Sequence, residues 1–82
     1  MVTIARIVEK LIEQRPFLQE ALAKGILNNA ALAEEIMPKI EKEMAKKVKF
    51  SAVNMAIRRL GEKIRGKPVS RIKFDRNFVV KP

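Results

Sequence analysis

Apolar residues recur at helical spacing in four successive segments of this chain, and a proline, a glycine or a capping residue bounds each segment. This alternation of stripe and breaker limits the fold more than any single motif. A stripe repeating every three to four residues covers one face of a helix, and that face needs another element to bury it. Ile4, Ile7, Val8, Leu11 and Ile12 form the first stripe, behind Thr3 as an N-cap. Arg15-Pro16 ends it, because the residue before a proline is pushed out of the helical region. Pro16 suits the first turn of a short second helix. Phe17, Leu18, Ala21 and Leu22 form its expected apolar face, and Gly25 is its stop.

Asn28 and Asn29 supply the cap of a third helix, along which Leu32, Ala33, Ile36, Met37, Ile40 and Met44 keep one phase. Pro38 lies inside this run, but the phase holds across it and Pro38 projects away from the stripe. The spacing therefore predicts one kinked helix and not two. "KKVKF", Lys46 to Phe50, is the connection. Ser51 is the expected cap of the fourth helix. Val53, Ile57, Leu60 and Ile64 fall on its inner side with Ala56 at the edge. Ser51, Met55, Arg58, Arg59, Glu62 and Arg65 face the other way, with Asn54 on the flank. Gly66 and Pro68 stop the helix. Beyond them "SRIKF" and "FVVK" flank "DRN", a turn-rich connector between β-favouring runs, and predict a hairpin over 69–80. The expected fold class is mostly α with a small C-terminal β-hairpin, in the order α-α-α-α-β-β.

With 82 residues the chain has room for one domain, 1–82, and not for two. It contains no Cys and no His. Disulfides and thiolate metal sites are excluded, and the commonest general base and metal ligand are missing. Thr3, Ser51 and Ser70 have no imidazole to activate them, and the three glycines are too scattered for a phosphate loop. The expectation is a protein that is not an enzyme and uses no metal or cofactor. No apolar run reaches the roughly 18 residues that span a bilayer, and Glu9 and Lys10 interrupt any leader-like region. This predicts a cytoplasmic chain without a membrane partner. The abundance of Lys, Arg and Glu with no Cys fits a thermophile.

The net charge of +9 is distributed unevenly. Residues 1–25 hold four basic and three acidic groups, and residues 26–48 hold four of each. Residues 49–82 hold ten basic groups against Glu62 and Asp75, so nearly the whole excess lies there. A uniform solubilising charge would not be so placed, whereas a polyanion-binding surface would.

"ALAEEI" (Ala31 to Ile36) followed by "SAVNMAIRRL" (Ser51 to Leu60) resembles the paired helices of a winged helix-turn-helix DNA-binding domain. The likeness covers roughly 28–80. It implies a helix-turn-helix core over 28–65 and a wing over 69–80, behind the N-terminal helical pair over 1–25 read from the stripes. The stretch from Met37 to Phe50 is longer than the tight turn such domains use. A narrower likeness joins "RPFLQEAL", "AALAEEI" and "SAVNMAIRRL". It is similar to the N-terminal domain of uncharacterised archaeal proteins that carry a C-terminal ACT-like regulatory domain, and it implies a ligand-responsive regulator. On that likeness, 69–80 is either a wing or the first strand of a further domain.

If the fourth helix enters a major groove, residues near its start reach base edges. Ser51, Asn54, Met55 and Arg58 are then the candidate readers. Arg59, Lys63, Arg65 and Lys67 are candidate phosphate contacts, joined by Arg71, Lys73 and Arg76 of the hairpin. Glu62 stands against this reading unless a neighbouring arginine pairs with it. Single-stranded RNA fits less well, since the chain has no Trp or Tyr and its four Phe lie in apolar contexts. The expected partner is double-stranded DNA, with a homodimer suited to a two-fold site. The rival expectation is a protein-interaction or dimerisation module, in which part of the first stripe pairs two subunits.

Overall fold

A computed structural model describes residues 3–67. Four helices make up the described chain: α1 (Ile4–Glu13), α2 (Pro16–Lys24), α3 (Asn29–Met44) and α4 (Phe50–Ile64). Helix accounts for 77% of the described residues and no strand occurs among them, which corrects the expected fold class from mostly α with a hairpin: the described chain is all-α. The physical reason lies in the core. Every residue of the buried cluster comes from one of the four helices, so no sheet layer is needed to close it. The hairpin expected over 69–80 lies outside the described residues.

Local chemistry sets the boundaries. Thr3 Oγ1 accepts a hydrogen bond from the Arg6 N–H at 3.2 Å and opens α1. Pro16 occupies the first turn of α2, and Gly25 closes that helix at φ 74°. Asn28 Oδ1 accepts from the Ala31 N–H at 3.0 Å and opens α3. Pro38 lies inside α3, which continues to Met44 as one helix.

α1 and α4 pack against each other, and α2 and α3 each touch both of them without touching one another. The first stripe completes the core: Ile7, Val8 and Ile12 are buried, with Ile4 and Leu11 partly covered. They meet Ile36 and Ile40 of α3 and Val53, Ile57, Leu60 and Ile64 of α4 in one cluster. Burial of such side chains contributes about 1.5–3 kcal/mol each.

α2 departs from its expected face. Phe17 is 86% exposed, and Gln19 is buried with Leu22 and Ala23. Gln19 Nε2 donates to the carbonyls of Ile12 at 3.2 Å and Glu13 at 2.8 Å. The amide is turned inward toward the carbonyls at the end of α1, one of which, that of Ile12, also accepts from the Arg15 N–H at 3.0 Å. Gly61 of α4 lies against α2, where a β-carbon would meet Leu22 Cδ1 and Cγ at 3.4 Å, an ordinary contact.

Candidate nucleic-acid interface

α4 begins one residue before the expected cap. Lys49 is the N-cap residue, and its carbonyl accepts from the N–H groups of Ala52 at 3.1 Å and Val53 at 3.2 Å. Ser51 therefore lies in the first turn and does not cap the helix. The preceding connection is tied to α3 by the Val48 N–H, which donates to Glu41 Oε2 at 3.1 Å. At the other end the Gly66 N–H donates to the Ala23 carbonyl at 2.9 Å, which fixes the chain leaving α4 against α2.

Burial of Val53, Ile57, Leu60, Gly61 and Ile64 sets the rotation of α4. Ser51, Met55, Arg58, Arg59, Glu62 and Lys63 are all exposed. With about 100° between successive residues, Ser51, Met55 and Glu62 form the midline of the outer face. The cations run along both margins. Arg58 and Arg65 line a polar pocket of about 260 Å³ beside the end of α2 and the start of α3. Arg59 and Lys63 line an open groove of about 590 Å³ against α1.

Two of these cations have carboxylate neighbours. Arg58 Nε lies 3.8 Å from Glu62 Oε2, the local pairing that the reading of Glu62 calls for. Lys63 Nζ lies 3.7 Å from Glu9 Oε2 of α1. Arg59, Arg65 and Lys67 make no ion pair with a described residue. Asn54 is only partly accessible, and its Oδ1 is buried without a hydrogen-bond donor. Reading a base would require this amide to turn outward. Arg71, Lys73 and Arg76 lie outside the described residues.

Lys46, Lys47 and Lys49 are exposed immediately before α4 and add positive charge at its N-terminal end. They are absent from the site read from sequence, although "KKVK" is visible there as a basic run. Among the described residues no group of His, Cys, Asp and Glu could hold a metal ion. No helix among them is long and apolar enough to cross a membrane. Comparisons with protein families, with curated proteins and with solved structures give no match to the chain.

Proposed function

We propose that this domain binds double-stranded DNA through the outer face of α4, as a cytoplasmic transcription regulator or its DNA-binding part, without catalytic chemistry. The observation that carries the proposal is the pair of cationic margins, Arg58 with Arg65 and Arg59 with Lys63, on either side of the Ser51–Met55–Glu62 midline. A helix lying in a major groove about 12 Å wide has one phosphate backbone on each side and base edges beneath it. Cations on both margins match that environment, and the less charged midline faces the groove floor. Met55 is suited to a thymine methyl and Ser51 to either base edge. Lys46, Lys47 and Lys49 extend the positive field toward the N-terminus of α4, whose helix dipole also favours phosphate. Two copies of the domain would place two such helices on a two-fold site.

The test is binding to a mixed pool of duplex DNA over a salt series, for the natural chain and for Arg58→Ala/Arg59→Ala. The variant removes one cation from each margin. Each lost phosphate contact lowers the slope of log K against log salt by about 0.9, so the double variant is expected to lose nearly 2. Absence of duplex binding even at low salt would refute the proposal.

A further inference from the structure

We propose that the open groove between α1 and α4 is a docking site for an acidic amphipathic helix of a protein partner. This goes beyond the DNA reading and does not rest on it. Most of the floor and walls are apolar, built from Ile4, Met44, Met55 and Leu60 with the small side chains Ala52 and Ala56, while Thr3 and the Glu9 carboxylate stand on the α1 side. Met55 is 43% exposed in the free chain. Methionine fills irregular gaps and adapts to different partners, so two at one groove suit a docking surface. A volume of about 590 Å³ lies within the 300–1,000 Å³ range of ligand sites. It accommodates a few side chains projecting from one face of a helix.

Charge selects the occupant. Arg59 and Lys63 stand four residues apart on the α4 edge of the groove. Residues at that spacing are neighbours on a helix surface, about 5–6 Å between β-carbons. Carboxylates spaced the same way on a partner helix would meet them in register. Lys63 already faces Glu9, which lines the α1 side, whereas Arg59 has no carboxylate partner among the described residues. A second copy is a poorer occupant, because each copy carries +9 and would bring a basic α4 toward a basic edge. Residues 68–82 of the same chain carry Arg71, Lys73, Arg76 and Lys81 against Asp75, so the same argument disfavours them. A fatty acid would match the charge, but a groove this open leaves much of a small amphiphile in water.

The experiment uses the full chain and a synthetic helical peptide about five turns long, with Leu on one face and Glu flanking it. Binding is followed by fluorescence anisotropy at about 0.15 M salt, where long-range attraction is largely screened. Backbone amide shifts locate the contact. The expected result is saturable binding, with shifts at the start of α1 and along the Ala52–Met55–Arg59–Lys63 flank. Met55→Glu and Arg59→Glu, each verified as folded by circular dichroism, are expected to weaken binding about tenfold or more. Four outcomes would overturn the proposal: no binding, equal binding of a Leu/Lys peptide or of polyglutamate, binding unchanged in both variants, or oleate binding the groove in place of the peptide. Duplex DNA binding measured in parallel separates the two readings. A chain that binds DNA but not the peptide refutes this inference alone, and the converse refutes only the DNA reading.

Discussion

Arg58 Nε lies 3.8 Å from Glu62 Oε2, one turn further along α4, and both side chains are mostly in water. A pair this exposed contributes about 0.3–0.5 kcal/mol to stability. Its larger effect is on the field of the outer face, where it sets one carboxylate beside a cation that the proposed DNA interface would turn toward phosphate. Glu62→Gln is therefore expected to leave the unfolding free energy within about 0.5 kcal/mol of the natural chain. The same change is expected to strengthen duplex binding severalfold and to steepen the salt slope by up to about 0.9. Thermal melts and anisotropy titrations on one preparation check both halves. Duplex binding weakened by the substitution would mean that Glu62 reads a base, as an acceptor from cytosine.

At Gly61 the contact with Leu22 leaves room for one methyl group and no more. Gly61→Ala gains up to about 1 kcal/mol of helix propensity and meets Leu22 at an ordinary contact distance. It is expected to be neutral or stabilising in urea melts. Gly61→Val carries two further carbons into the α2–α4 contact, and overpacking of this kind costs about 1–3 kcal/mol. Stabilisation by both substitutions would show that α2 does not approach α4 as closely as the Leu22 contact implies.

Gln19 ties α2 to the end of α1 through two hydrogen bonds from one amide. Gln19→Met keeps the side-chain length and removes the donor. The expected loss is about 0.5–1.5 kcal/mol, the net worth of such hydrogen bonds, since the Ile12 carbonyl keeps the Arg15 N–H at 3.0 Å and the Glu13 carbonyl is only partly buried. Gln19→Glu is expected to be worse, because a carboxylate would face two carbonyl oxygens. Denaturant unfolding followed at two probes checks the order natural chain, Met, Glu. Equal stability for Met and Gln would mean that water replaces the amide.

The starts and stops of the helices were legible because they depend on local chemistry. Thr3, Pro16, Gly25 and Asn28 act within a few residues of themselves, and the structure uses each one at the expected place. The inner face of α4 was legible for a related reason: Val53, Ile57, Leu60 and Ile64 form a long stripe with one possible orientation. α2 was not. Apolar side chains at 17, 18, 21 and 22 mark out one arc, but the packing against α1 turns the helix away from it, with Phe17 in solvent and Gln19 inward. Hydropathy places an amide outside unless the carbonyls waiting for it are known. The hairpin over 69–80 was inferred from a turn-rich connector between β-favouring runs and from the winged-helix resemblance, and the helical core supplies no demand for it. Within the candidate site, the exposed positions of α4 followed from the stripe. Their division into two margins needed the neighbours, because the pocket beside α2 and the groove beside α1 are tertiary features.

Ala45 closes α3 in the left-handed region, at φ 58°, where its N–H donates to the Glu41 carbonyl. The following Lys46 N–H donates to the same carbonyl at 3.2 Å, so the turn is fixed by the backbone of α3. An L-residue in this conformation costs about 1–2 kcal/mol. Glycine removes that strain but loses about 0.4–1 kcal/mol through the greater freedom of the unfolded chain. Ala45→Gly is therefore expected to stabilise the domain by about 0.5–1 kcal/mol, which for a chain of this size raises Tm by a few degrees. Ala45→Val should lower Tm, because a β-branched side chain is strongly disfavoured at positive φ. Ala45 contributes nothing to the outer face of α4, so duplex binding should be unchanged in the glycine variant. A fall in Tm with glycine would mean that the turn between α3 and α4 does not hold the left-handed conformation in solution.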